Sequence, residues 1–205
     1  MRADHRPMPA RLVLATGNAG KLREMREILA PWSVEVCSLA QFTDESAEET
    51  GLSFVENALL KARFAATAAG LAAIADDSGL EVDALGGAPG VYSARYAGPG
   101  ADDAANNRKL LESLASVPEE RRTARYRCAM VFVRSASDAA PVVAQAAWEG
   151  RIAREARGTG GFGYDPLFLV GSTELTAAQL DPQAKNRLSH RGQALRALVG
   201  TLTGA

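Results

Sequence analysis

The sequence has only two cysteines, Cys37 and Cys128, and only two histidines, His5 and His190. The cysteine spacing fits no zinc motif, and two histidines exclude a His-rich metal centre. Both cysteines fall in apolar, strand-like runs and read as buried free thiols. With no disulfide framework indicated, the chain fits a reducing compartment, and a cytoplasmic location follows. Long hydrophobic runs are also missing. The longest low-polarity stretch, residues 65–75, contains Thr67 and Gly70 and falls far short of the roughly 20 apolar residues of a membrane span. The N-terminus carries Arg2, His5 and Arg6 before only a short apolar stretch, so it does not read as a signal peptide. Residues 1–10, with Pro7 and Pro9, read as a disordered leader. Charge of one sign is not in excess: 23 Lys and Arg oppose 24 Asp and Glu, for a net −1. That balance gives no pull toward bulk nucleic acid or an anionic membrane, though a mononucleotide needs only a few well-placed cations.

What is present is an ordinary globular composition, 47% hydrophobic and 23% charged over 205 residues. Residues 11–205 form one domain with enough chain to bury a substantial core and room for two lobes. No internal repeat or low-complexity linker interrupts it. Residues 11–15 read as a buried strand, followed by a helix capped by Asn18 and ended at Pro31. Residues 34–38 are a second strand. Residues 53–69 are a helix with Phe54, Ala58, Leu59, Ala62, Ala65 and Ala69 inward, closed by Gly70. A short apolar strand at 72–75 runs into Asp76-Asp77-Ser78-Gly79, and residues 80–85 are a partner for it. Residues 102–114 are helical. Residues 123–134 and 141–148 form a hairpin, 167–170 is a strand, 177–188 is helix or irregular, and 189–202 is a closing helix. The early alternation of strands and helices, then the hairpin, gives an α/β protein with a mixed sheet.

Four stretches carry chemistry. Thr16-Gly17-Asn18-Ala19-Gly20-Lys21 joins a strand to a helix through small residues. Its backbone N–H groups and Lys21 sit at the positive end of a helix dipole, which is anion-binding geometry. It is not a Walker A loop, because Ala15 and Leu22 stand where Gly and Ser/Thr belong. The same residues also suit a capped turn with a solvated lysine. Asp76 and Asp77 read as two carboxylates at a strand end, where open α/β sheets place ligands. Adjacent carboxylates in a confined site call for a cation, and Mg²⁺ takes oxygen ligands and shares triphosphate oxygens. A solvated acidic turn is the plainer alternative. One carboxylate from the acidic loop of Glu45, Glu48 and Glu49 suffices as a further ligand. Asn57 and Lys61, at i and i+4 on their helix, read first as a solvated face, with phosphate contact the lesser alternative.

Gly158-Thr159-Gly160-Gly161-Phe162-Gly163 matches G-x-G-x-x-G by letter, but no apolar strand precedes it and Pro166 follows where a helix belongs. A dinucleotide fold is excluded. Phe162 and Tyr164 in such a loop suit stacking on a base, and Asp165 suits an imino hydrogen; a tight turn with core aromatics reads equally well. Ser189 reads as an N-cap that puts His190 and Arg191 in a first helical turn, where cations are unfavourable; a ligand oxygen nearby accounts for them, and so does a lone exposed pair tolerated at small cost. Lys185 lies close by in sequence.

Taken together and in this order, the stretches LATGNAGKLREMREIL, SAEETGLSFVENALLKA, AIADDSGLEVDALGGAPGVYSARYAG, GTGGFGYDPLF and KNRLSHRGQAL resemble the inosine triphosphate pyrophosphatase family, the noncanonical purine NTP pyrophosphatases or XTP/dITP diphosphatases, in its bacterial branch. They span residues 12–195. The resemblance implies an elongated α/β fold of two lobes, a mixed central sheet flanked by helices, a cleft between the lobes and a homodimer. It implies Mg²⁺-dependent cleavage of the α–β bond of dITP, ITP or XTP to the monophosphate and pyrophosphate. By residue match, Thr16, Gly17, Asn18, Ala19, Gly20 and Lys21 hold phosphates. Asp77 is the catalytic acidic residue, Glu48 and Asp77 engage the metal, and Ser78 contacts substrate. Phe162, Gly163, Tyr164, Asp165, Lys185, His190 and Arg191 form the base pocket. Apolar segments such as Val131–Val133 are available for a dimer interface. Alternatives to this reading are a pyrophosphatase for another modified nucleotide and a nucleotide-binding sensor without turnover.

Overall fold

The computed structural model of the protein describes residues 8–204. Residues 1–7 of the anticipated leader, and Ala205, lie outside the described residues, while Met8 packs against the core. The strands and helices, in chain order, are β1 Arg11–Leu14, α1 Ala19–Leu29, β2 Glu35–Ser38, α2 Phe54–Ala69, β3 Ala72–Val82, α3 Asp103–Ser113, β4 Thr123–Val133, β5 Val142–Ile152, β6 Phe168–Val170, α4 Pro182–Leu188 and α5 His190–Thr203. The sheet runs β2-β1-β3-β4-β5-β6. β1 pairs in parallel with β2 and β3, and β5 pairs antiparallel with β6. Parallel neighbours need crossovers, and α1 and α2 supply them. The fold is mixed α/β, as the alternation of elements implies.

The chain divides into two compact units. Of the described residues, the first comprises 8–77, 128–146 and 191–204; the second comprises 78–127 and 147–190.

In the first unit, strand alternation sorts side chains onto two faces. Leu12, Leu14, Ile74, Cys128, Met130 and Phe132 pack with Met25, Ile28 and Leu29 of α1 and with Leu195, Leu198, Val199 and Leu202 of α5. Val13, Ala15, Ala73, Ala75, Ala129, Val131 and Val133 pack instead with Ala58, Ala62, Ala65 and Ala66 of α2. The run of alanines on α2 lets that helix approach the sheet closely. Local chemistry sets its ends. Ser53 accepts from the Glu56 amide while the Glu56 side chain reaches back to the Ser53 amide, a reciprocal cap. Gly70 closes the helix at φ +64°.

Three readings change here. Residues 72–82 form one strand, so Asp76 and Asp77 lie inside β3 rather than beyond a strand end, and residues 80–82 continue that strand instead of pairing with it. Gly79 marks no turn. Val131, Phe132 and Val133 are buried in the core and are not available for an interface. Cys37 and Cys128 are free and buried as expected.

In the second unit, Leu80, Val82, Leu110, Leu114, Tyr126, Trp148, Tyr164, Leu167 and Phe168 make the core. Asp102 caps α3 by accepting from the Ala105 amide at 2.7 Å. At its other end the buried Arg122 donates to the carbonyls of Leu114, Ile152 and Ala153 at 3.0, 2.9 and 2.9 Å. A planar fork of donors thereby ties the end of α3 to the end of β5.

Candidate active site

Successive residues of a strand point to opposite faces. Asp76 therefore shares the side of Ile74, and Asp77 the side of Ala73 and Ala75. The consequence is two separate ion clusters in the first unit. Asp76 meets Lys21 Nζ of α1 at 3.0 Å and Arg191 Nε of α5 at 3.3 Å, and Arg191 Nη1 reaches Glu24 at 2.6 Å. Asp77 Oδ1 meets Lys61 Nζ of α2 at 2.7 Å, and Asn57 Nδ2 lies 3.4 Å from Oδ2. Lys61 Nζ also meets Glu49 Oε1 at 2.6 Å.

These surroundings drive the two carboxyls apart. Burial pushes Asp76 up, but the charges of Lys21, Arg191 and Lys61 overcome it and hold the group far below the usual carboxylate range. For Asp77 burial wins: its pKa is raised, with Lys61 opposing and Glu49 adding to the rise. Asp76 is thus a fixed negative charge, and Asp77 is the more basic carboxylate, the better suited to take a proton.

The acidic loop is tied to this centre by Gly51. Its amide donates to Asn57 Oδ1 at 2.8 Å, and a Cβ there would sit 2.6 Å from the Glu56 Cβ. Glycine permits that approach. Glu49 is the loop carboxylate that reaches Lys61, whereas Glu48 is exposed. Asn57 and Lys61, read from sequence as a solvated face, point at Asp77 instead. Their i, i+4 spacing put them on one stripe, but only packing shows that the stripe meets β3.

The Thr16–Lys21 turn leads into α1 as anticipated. Asn18 Oδ1 accepts from the Lys21 amide at 3.0 Å, and the Asn18 amide donates to Thr16 Oγ1 at 3.2 Å. Gly17, Asn18 and Ala19 are exposed, and the space a Cβ would take at Gly17 is open. Two of the turn's amides, those of Asn18 and Lys21, are thus spent on oxygens within the turn.

The second unit gathers the aromatic glycine loop with Lys185 and His190. The buried Asp165 carboxylate accepts from the Phe162 amide at 2.9 Å, Lys185 Nζ at 2.6 Å and the Tyr126 hydroxyl at 3.1 Å. These protein donors occupy the acceptor that the sequence reading offered to an imino hydrogen. Gly161, at φ +73°, passes so close to Asp165 that a Cβ would collide with the carboxylate. Lys185 Nζ lies 4.6 Å above the Phe162 ring. Phe162 is half-buried, but Tyr164 is core: it is buried and donates to the Ser93 carbonyl at 2.8 Å. Of the two rings read as stacking surfaces, Tyr164 is thus packed into the core and Phe162 is the more exposed. Both backbone groups of Gly163 are held by α3, the amide by Asp103 at 2.6 Å and the carbonyl by Asn107 at 2.8 Å. His190 is buried and lies face to face with Tyr126, with centroids 4.6 Å apart and planes 9° apart.

One placement differs from the sequence reading. The oxygens facing the Arg191 side chain are carboxylates of Asp76 and Glu24, so the buried cation near a helix start has protein partners. Ser78, half-buried, follows Asp77 on β3 as the first residue of the second unit. Sequence reasoning missed Glu24, Tyr126, Asp103 and Asn107. Each lies within a regular element, where the sequence does not show what packs across from it.

The geometry offers a ready comparison with known proteins. The model of the Ham1 family matches residues 12–201. The chain belongs to the Ham1 family. A Ham1 relative from Thioalkalivibrio sulfidiphilus, named dITP/XTP pyrophosphatase, is 61% identical over 95% of this chain and 99% of its own length. Another of that name from Escherichia coli O157:H7 is 54% identical over 94% of this chain and 98% of its own. Among solved structures, a HAM1 protein from Coxiella burnetii superposes with a TM-score of 0.86 at 49% identity, covering 95% of this chain and 99% of that one. The Ham1 relationship thus extends across almost the whole chain, both units included, and the mixed α/β architecture is shared with solved members.

Proposed function

We propose that this chain hydrolyses dITP, XTP and ITP to the nucleoside monophosphate and pyrophosphate with Mg²⁺. The observation that carries the proposal is Asp77, buried on β3 with a raised pKa and set against Lys61 and Asn57. Relatives more than half identical to it carry the name dITP/XTP pyrophosphatase, which supports the substrate class.

The donor set suits Mg²⁺ in one particular mode. Among the described residues, no three His, Cys, Asp or Glu side chains come together as a metal cage. Mg²⁺ commonly needs only one or two carboxylates, with substrate phosphates and water completing its shell. Asp77 and Glu49 already hold one cation between them, the Lys61 ammonium. Asp77 with Glu48, or with its neighbour Glu49, supplies the hard oxygen donors. When bound, Mg²⁺ neutralises triphosphate charge and polarises the attacked phosphorus.

The chain's own residues do the rest. Asp77 orients or deprotonates the attacking water. Lys21 and the Thr16–Lys21 turn balance charge on the departing pyrophosphate. Asp76 and Glu24 fix Arg191, and Asp76 fixes Lys21, so that these cations do not wander. Ser78 contacts the substrate. In the second unit Phe162 stacks on the base, worth about 1–3 kcal/mol, and Gly163, Tyr164 and Asp165 set the loop that carries it. Lys185 and His190 supply donors for a 6-keto oxygen. Adenine, with an amino group at that position, leaves a donor unpaired, a loss of about 1–3 kcal/mol. A homodimer and a cytoplasmic location belong to the same proposal. No helix of the described residues is long and apolar enough to cross a membrane.

The test is a Mg²⁺-dependent panel of dITP, ITP, XTP, ATP and GTP with both products identified. Pyrophosphate and monophosphate from the deaminated purines support the proposal. Comparable rates on ATP and GTP refute the selectivity, and binding without turnover marks a sensor.

A further inference from the structure

Tyr126 lies in the middle of β4, buried in the core of the second unit. Its hydroxyl and its ring both make contacts beyond ordinary packing. Its hydroxyl donates to Asp165 Oδ1 at 3.1 Å, and its ring stacks on His190 at 4.6 Å. Phe168, at 4.6 Å and tilted 50°, and Trp148, at 6.3 Å, pack around the same ring. A close-packed aromatic of this kind holds one rotamer.

The two oxygens of Asp165 carry different loads. Oδ2 takes the Phe162 amide and the Lys185 ammonium, so it ties the glycine loop to α4. Oδ1 takes the Tyr126 hydroxyl. A carboxylate turns readily about its terminal torsion, whose preference is broad. The hydroxyl on a fixed strand removes that freedom. One rigid ring therefore registers Asp165 through its tip and His190 through its face.

We propose that Tyr126 is a positioning residue for purine recognition, which sets the angle at which Phe162, Lys185 and His190 meet the base. The inference rests on the base-recognition reading given above. Tyr126 touches no substrate; it acts through Asp165 and His190.

The test compares wild type, Tyr126→Phe, Asp165→Asn and the double variant, by Mg²⁺-dependent pyrophosphate release from dITP and dATP. Tyr126→Phe keeps the ring and the packing, so the chain folds, which a thermal melt checks. Loss of one buried hydrogen bond raises KM for dITP about three- to tenfold. The kcat stays within about twofold, because positioning the base affects ground and transition states alike. The dITP-over-dATP preference falls by a similar factor. Asp165→Asn moves the same quantities the same way, and adding Tyr126→Phe to it changes little more, since the two act as one unit. An unaltered KM and preference in Tyr126→Phe, beside a shifted Asp165→Asn, overturns the role of Tyr126 alone. An equal fall in kcat on both substrates shows general damage and also overturns it. An Asp165→Asn enzyme with wild-type discrimination overturns the base reading itself, and this proposal with it.

Discussion

Asp76 and Asp77 are joined by one peptide bond, yet they answer to different helices: Asp76 meets Lys21 of α1 and Arg191 of α5, while Asp77 meets Lys61 and Asn57 of α2. The strand alternation of β3 separates them. It also gives them opposite protonation tendencies, one pushed down by cations and one pushed up by burial. A pair that looks redundant in sequence is a division of labour in space.

Removing the more basic member tests that division. Asp77→Asn conserves shape and keeps an acceptor for Lys61. Its turnover is expected to fall by about 10²–10⁴-fold, the range for loss of a positioned acid–base group. Circular dichroism and the melting temperature stay close to wild type. A variant with full turnover removes Asp77 from the mechanism.

Lys61 bridges two carboxylates, so its loss leaves both facing each other across a largely buried gap. Lys61→Met is expected to lower stability by about 1–3 kcal/mol through uncompensated charge. Urea denaturation reads this directly. Added Mg²⁺ recovers part of the loss, because a ligand that binds the native state stabilises it.

Arg122 closes three carbonyls from inside the second unit. Arg122→Met fills similar volume with no donor. It is expected to cost about 2–4 kcal/mol, as three carbonyls each lose a charged donor inside the fold. Denaturant midpoints for the variant and wild type supply the comparison.

Asp138 gives a pH signature for stability. Hydrogen bonds from the Arg134 side chain, then from the amides of Arg134 and Ala140, outweigh burial and hold its carboxyl well below the usual range. A folded-state pKa below the unfolded one contributes stability that is complete above the unfolded value, near about 3.9. That stability is lost as pH falls through the lowered folded value. Arg134 is half-exposed, so the effect is modest. Asp138→Asn is therefore expected to be about 1 kcal/mol less stable than wild type at pH 7. The gap narrows at pH 3. Denaturation curves at the two pH values decide the sign.

Much of this was legible in the sequence. Asn18, Ser53, Gly70 and Asp102 mark helix ends by their own chemistry, so α1, α2 and α3 fall where periodicity and caps place them. Asp77 and the Thr16–Lys21 turn stood out because charge and glycine are conspicuous. What misled was the polar stretch Asp76-Asp77-Ser78-Gly79, which split the apolar run in two, although pairing with neighbouring strands carries the chain straight through it. The facing of Lys61 was not legible, since a lysine on a helix says nothing of what packs across from it. Tyr126 was not legible either: in a run such as Thr123–Val133 an aromatic whose hydroxyl reaches a buried carboxylate looks like any core residue.

The central claim is that Asp77 serves hydrolysis of a deaminated purine triphosphate between its α and β phosphates. The most direct measurement is product analysis of dITP turned over with Mg²⁺ by wild type and by Asp77→Asn at matched concentration. The account predicts dIMP and pyrophosphate in equal amounts from wild type and almost none from the variant. Release of orthophosphate with dIDP, or equal pyrophosphate from both proteins, would contradict it.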